Sequence, residues 1–298
     1  MKKSFFGIAV PAVIALLAGG ALPARDHDDE HTYPVVEKDE ARKTVRIADP
    51  SAPVEVSVDN VWGGITVEAG RGTEIEMVAR RTIKAESKDK LEKARSEVRL
   101  DIPETPNALS VYVDGPFRCD DRGGIRGIRA RKDAGYIVQY DFLLKVPPRT
   151  KLVLSTVTDG DIEVRGVDGD FDVDNVNGKV GLTDAAGSGS ASTVNGGVRV
   201  SFRRPPARPC AFKTINGEVA LNFPEGLSAD FRIKSPMNGE AYSDFPVTAL
   251  PAAPAEVRKE GGRTVYSSGR FFGVRVGRGG PEIKLETLNG DILIKKNA

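Results

Sequence analysis

Five glycines spaced nine residues apart, Gly160, Gly169, Gly178, Gly187 and Gly196, constrain this chain more than any other feature. A fixed period of this kind marks a stacked-repeat architecture, in which each unit contacts only its neighbours. The phrase carried on the period is apolar, Asn or Asp, Gly, any residue, apolar, any residue, apolar. It reads Val167-Asp168-Gly169-Asp170-Phe171-Asp172-Val173 in one copy and Val194-Asn195-Gly196-Gly197-Val198-Arg199-Val200 in another. Asn-Gly and Asp-Gly accept positive φ at low cost and mark a sharp turn. The apolar residues two and four places after the glycine alternate with polar ones, the period of a half-buried strand. A short strand plus a turn fills the nine residues, so each repeat makes one side of a coil.

Beyond Gly196 the period lengthens while the phrase persists. It returns at Ile215-Asn216-Gly217, in a worn copy at Met237-Asn238-Gly239, and at Leu288-Asn289-Gly290, and an early copy, Val58 to Val67, opens the domain. A single such strand cannot bury its apolar side alone, whereas stacked copies build a continuous thin core. The expected interior residues are Ile162, Val164, Phe171, Val173, Val180, Leu182, Val198, Val200, Val219, Leu221, Ile292 and Ile294. The competing arrangement is a meander of Asn-Gly hairpins closing a sandwich, and the strict spacing favours the coil. One helix is predicted over Ser87 to Val98, between strands Glu74 to Ile83 and Ala108 to Val113. A long alternating strand, Tyr136 to Val146, ends at Pro147-Pro148, which stops sheet pairing. The fold class is therefore all-β: a β-solenoid, or β-helix-like, repeat domain with one short helix.

The first residues read as an export signal. Lys2 and Lys3 precede an apolar run, Phe5 to Leu17, which is followed by small residues and then a charged stretch from Arg25. That order is the signature of a cleaved secretory leader. The run falls short of the roughly 20 apolar residues that span a bilayer. Cleavage after Ala21 and after Ala24 both fit, and the alternative is an uncleaved anchor. The expected organisation is a signal peptide over 1–24, a polar linker over 25–43 and the β-solenoid domain over 44–298. The expected location is outside the cytoplasm, in the periplasm, at the cell surface or secreted, with no transmembrane segment in the mature chain.

Composition removes several function classes. Basic and acidic residues nearly cancel, 43 against 42, which leaves no electrostatic case for nucleic acid. The only histidines, His27 and His31, lie in the polar linker. The folded part therefore has no residue for a Ser-His-Asp triad, a Cys-His pair or a His-ligated zinc site. Calcium-binding nonapeptide rolls need paired glycines and an aligned Asp that this repeat lacks, so no metal and no cofactor is expected. A lyase or hydrolase on the outer face would need converging carboxylates. Polar outer faces supply acidic pairs by chance, and the chain is read as a non-enzyme.

The opening phrase Val58 to Gly70, the strand, charged helix and strand that follow, the recurring Thr-x-Asn-Gly-x-Val and the closing segment Gly279 to Ile294 are similar to the bacterial putative-adhesin family of β-repeat domains of unknown function. The resemblance spans most of residues 44–298 and departs from the simple pattern around 115–135 and 240–270. It implies an exported β-solenoid-like domain with an adhesin-like role and supplies no catalytic residues.

Candidate binding residues cluster in one segment. Arg118, Arg122, Arg126, Arg129, Arg131 and Lys132 lie on a Gly-rich stretch suited to gripping an anionic polysaccharide, a cell-surface phosphate or an acidic envelope protein. The plain alternative is a solvated connection between strands. Cys119 and Cys210, the only cysteines, either pair in an oxidising compartment or stay as thiols. Trp62 and the pair Phe271-Phe272 either stack on sugar rings or cap the open ends of the core. The function expected is that of a cell-envelope scaffold or recognition module, with a regulatory accessory protein that binds a protein partner as the alternative.

Overall fold

The computed structural model describes residues 32–49, 51–118, 134–234, 236–251, 256–260, 263–267 and 271–297. The chain runs through β1 (Val35–Arg46), β2 (Glu55–Asp59), β3 (Ile65–Ala69), β4 (Glu74–Ala85), α1 (Lys88–Glu97), β5 (Arg99–Asp101), β6 (Glu104–Thr105), β7 (Ala108–Asp114) and β8 (Tyr136–Val146). The repeat region supplies β9 (Lys151–Ser155), β10 (Ile162–Arg165), β11 (Phe171–Asp174), β12 (Val180–Ala185), β13 (Gly189–Ser192), β14 (Val198–Phe202), β15 (Cys210–Lys213) and β16 (Val219–Phe223). There follow β17 (Ala229–Lys234), β18 (Ala241–Ser243), β19 (Val247–Leu250), β20 (Glu256–Glu260), β21 (Arg263–Ser267), β22 (Phe271–Val276), β23 (Glu282–Glu286) and β24 (Ile292–Lys296). The described part is mostly β, and α1 is its one helix. Among the described residues no helix is long and apolar enough to cross a membrane.

From β9 to β19, successive strands fall alternately on two sheets, while β20 and β21 form a two-stranded sheet of their own. One sheet has the order β1-β4-β8-β3-β10-β12-β14-β16-β24-β18, and the other runs β19-β22-β17-β23-β15-β13-β11-β9-β2-β7-β5. The nine-residue period thus carries the chain from one sheet to the other, and the next copy on the same sheet pairs parallel to it. Register keeps the apolar positions in columns: Ile65, Ile162, Val180, Val198, Val219 and Ile292 stand side by side. On the second sheet Leu154, Val173, Ala191, Phe212 and Leu285 do the same. Each is buried in one continuous core, as are all twelve residues expected inside. The sheets are mixed: β1, β4 and β8 pair antiparallel at one end, and β17, β22 and β19 at the other.

The recurring Thr-x-Asn-Gly phrase explains itself once the rungs are stacked. The hydroxyls of Thr193, Thr214 and Thr287 each donate to a glycine carbonyl of the neighbouring rung at 2.8–2.9 Å. The asparagines form an amide ladder in which Asn238, Asn289, Asn216 and Asn195 each donate to the next Oδ1, ending at Asn177, at 2.7–2.8 Å. The glycines permit the approach. A Cβ on Gly217 would lie 2.0 Å from the Gly196 carbonyl oxygen. Stacking, as much as turn geometry, therefore fixes Gly at that place.

One expectation changes. The polar linker assigned to 25–43 ends earlier, because β1 begins at Val35 and pairs with β4 along its whole length. Charged side chains stand among its inward ones, beside Val35, Ala41 and Val45, which hid the strand: Arg95 Nε donates to Glu37 at 3.0 Å and Arg81 Nε to Asp39 at 2.9 Å. Inward charge is also a means of keeping an edge strand from pairing with other chains. In addition, the closing repeat is not outermost. The β23–β24 rung lies between the β15–β16 and β17–β18 rungs. Ala241 and Ser243 stand beside Ile292 and Ile294 in register but are exposed, so the worn copy has too little apolar side chain for an interior rung.

The predicted helix is α1. The side chain of Ser87 caps it, accepting from Lys90 N–H at 3.3 Å, and Leu91 and Ala94 are buried beneath it.

Candidate functional site

Residue Arg118 is the only described member of the Arg-rich cluster; Arg122, Arg126, Arg129, Arg131 and Lys132 lie outside the described residues. Its guanidinium is turned inward and is 5 % exposed. Nε donates to the Val113 carbonyl at 2.9 Å, Nη2 reaches both the carbonyl and the carboxylate of Asp59 at 3.1 Å, and the Tyr112 ring lies 4.3 Å away. A charge held this way pins the chain where the cationic segment starts and is not presented to a ligand.

Both ends of that segment line one pocket. Phe117 precedes it, Ala134 and Gly135 follow it, and all three face a cavity of about 230 Å³ whose walls include Tyr33, Trp62, Tyr136 and Val138. The Trp62 and Phe117 rings meet edge to face at 5.0 Å and 84°. Behind the pocket, Lys90 Nζ on α1 donates to the Ala134 carbonyl at 3.2 Å, and Glu86 N–H donates to the Gly135 carbonyl at 3.0 Å. Gly135 has φ of +70°, and a Cβ there would meet the Glu86 carboxylate. The Tyr136 hydroxyl donates to Glu97 at the end of the helix. The helix thus holds the segment's return against the same wall that Phe117 holds at its start. Trp62 is half-buried in this wall, while Phe117 and Tyr136 are buried behind it.

The remaining sequence candidates sit elsewhere. Cys119 lies outside the described residues. Cys210 begins β15 and is buried; its sulfur accepts from Gly189 N–H at 3.4 Å, and burial pushes its thiol upward from the ordinary value. That direction is away from the thiolate a nucleophile needs. Phe272, on β22 at the far end of the stack, is 42 % exposed, whereas Trp62 is a half-buried pocket wall. The structure does not bring those two aromatics together. Sequence reasoning missed Phe117, Tyr33 and Tyr136, which are isolated in the sequence and converge only because β7 pairs with β2, β8 pairs with β3, and α1 packs beside β8.

No family model matches the chain, and no curated protein matches it in sequence. Among solved structures, a putative cell adhesion protein from Clostridium sporogenes is similar over 88% of this chain and 100% of its own, at 11% identity and a TM-score of 0.41. A putative adhesin from Bacteroides fragilis is similar over 87% of this chain and 97% of its own, at 10% identity and a TM-score of 0.38. A putative lipid binding protein from Parabacteroides distasonis is similar over 86% and 97%, at 10% identity and a TM-score of 0.30. Two of the three bear adhesin-type names.

Proposed function

We propose that this chain is an exported, non-catalytic recognition module on a β-solenoid framework, which binds an anionic glycan where the Arg-rich segment meets the aromatic pocket. The observation that carries this reading is the convergence of Trp62 and Phe117 on a pocket flanked by both ends of that segment. Sugar rings present an apolar C–H face that packs on aromatic rings. Carboxylate or sulfate substituents pair with guanidinium groups by charge-assisted hydrogen bonds. The five cations between Arg118 and Ala134 supply that charge from a segment tied at its two ends.

The test is binding of the purified protein to immobilised acidic and neutral polysaccharides. Binding to the acidic set is expected to weaken steeply as ionic strength rises. Trp62→Ala is expected to reduce it by roughly tenfold, the ratio for about 1.4 kcal/mol. The triple variant Arg122→Gln, Arg126→Gln, Arg129→Gln removes three of the five cations and is expected to weaken the salt dependence markedly. Equal binding by wild type and both variants would overturn the reading.

A further inference from the structure

The Asn ladder belongs to a longer column on one edge of the coil. Trp62 bridges Thr158, and Asn177, Asn195, Asn216, Asn289 and Asn238 continue the line rung by rung, giving seven positions. At the strand spacing of about 4.8 Å the column extends roughly 29 Å along the coil axis. Each ladder amide has two N–H donors and an oxygen that accepts twice. Stacking uses one donor and one acceptor of each interior asparagine. One donor and one acceptor of each interior asparagine, Asn195, Asn216 and Asn289, therefore remain for solvent or a ligand.

The neighbouring column is apolar. Val157, Val176, Val194, Ile215, Leu288 and Met237 precede the column residues and stack in the same order. The first three are half-buried, while Ile215, Leu288 and Met237 are 37, 39 and 76 % exposed. On the other side, just after the glycines, Asp161, Glu218, Asp291 and Glu240 outnumber Lys179, and one of them, Glu218, is met by Arg199 at 3.3 Å. The edge thus repeats an apolar contact beside a donor and an acceptor, under a field that repels anions.

We propose that this edge is a second binding surface, a track for an extended, neutral, β-linked glycan lying along the coil axis with one sugar over each rung. The rung spacing is comparable to the length of one pyranose in such a chain, and because successive β-1,4-linked sugars are turned over, the same hydroxyl edge returns to the free amide valences at every second rung. Ring C–H faces lie on the apolar column. The acidic flank selects a neutral polymer here and separates this surface from the cationic segment, whose role it does not require.

Titration calorimetry with the full chain and a length series of cello- and chito-oligosaccharides tests the proposal. Affinity is expected to climb with each added sugar until the chain spans the column and then level off, with little dependence on salt. Leu288→Glu combined with Met237→Glu, both exposed, is expected to lower the affinity for long oligomers about tenfold without moving the thermal midpoint. Trp62→Ala is expected to remove only the last increment of length. No binding to either series, affinity independent of length, or long-oligomer affinity unchanged in the Leu288 and Met237 variant would each overturn the proposal. Binding lost wholly with Trp62→Ala would assign the neutral glycan to the pocket and overturn it as well.

Discussion

Replacing Gly217 with alanine tests why the repeat needs glycine. The added Cβ would stand 2.0 Å from the Gly196 carbonyl oxygen, with the Gly196 carbonyl carbon at 2.5 Å. Both are backbone atoms, so relief requires the two rungs to separate by more than 1 Å to restore ordinary contact. Separation stretches the bonds that cross this gap: Gly196 N–H to the Asn216 carbonyl at 2.9 Å, the Thr214 hydroxyl to Gly196 at 2.8 Å, and Asn216 to Asn195 at 2.7 Å. Losing two or three bonds at about 1 kcal/mol each, with overpacking of about 1–3 kcal/mol, gives roughly 3–6 kcal/mol. At an m-value of about 3 kcal/mol/M the urea midpoint falls by about 1–2 M. Gly226→Ala is the control. Gly226 has φ of +80° and no atom within 4 Å of the would-be Cβ, so it bears only the left-handed backbone cost of about 1–2 kcal/mol. Equal midpoint shifts for the two variants would refute the stacking argument and return the glycine to turn chemistry alone.

Three further outcomes follow from the same contacts. Asn216→Ala removes two amide bonds of the ladder and should cost about 1–2 kcal/mol, with Asn177→Ala, at the ladder's end, costing about half as much in urea unfolding. Arg118→Met leaves the Asp59 carboxylate largely buried without its cation and should cost about 3–5 kcal/mol, part of which the added change Asp59→Asn recovers in thermal unfolding. Hydrogen bonds from Arg95 hold the Glu37 carboxyl below its ordinary value, so this tie stabilises β1 above the ordinary glutamate range and is lost as the pH falls below it. Intrinsic-rate-corrected hydrogen exchange should show residues 35–46 losing protection in acid before the stacked repeat strands do; simultaneous loss would contradict the role of Glu37.

The short strands of the repeat and their buried side were legible because that side is set by local alternation. Ile162 and Val164, or Val198 and Val200, declare their side of the strand within five residues. The long strand Tyr136–Val146 and the helix capped at Ser87 were equally local. What escaped depended on partners distant in the sequence. β1 reads as a charged linker until Glu37 and Asp39 meet Arg95 and Arg81. Arg118 reads as a surface cation until Asp59 and Tyr112 arrive from β2 and β7. The asparagine of each Asn-Gly was taken for turn chemistry, and only stacking shows that its amide bonds to the next copy. The place of the closing repeat inside the stack turns on the weakness of its neighbour: Ala241 and Ser243 cannot fill a core that Ile292 and Ile294 can.

The pocket was half visible. Trp62 stood out as the single tryptophan and the cations as a cluster, but nothing in their spacing joins them. The residues that flank the cationic stretch, Phe117 and Ala134-Gly135, reach Trp62 because β7 and β8 pair with β2 and β3, the two halves of the rung that carries Trp62 between them. Binding energy in such a site is expected to concentrate on the aromatic anchors, with the charges setting selectivity and salt dependence.

The measurement that bears most directly on the recognition role is a survey of the purified protein against an array of acidic and neutral bacterial and host glycans. The account predicts selective, saturable binding, with acidic glycans released by salt and extended neutral ones retained. An array on which no glycan of either kind is bound above background would contradict it.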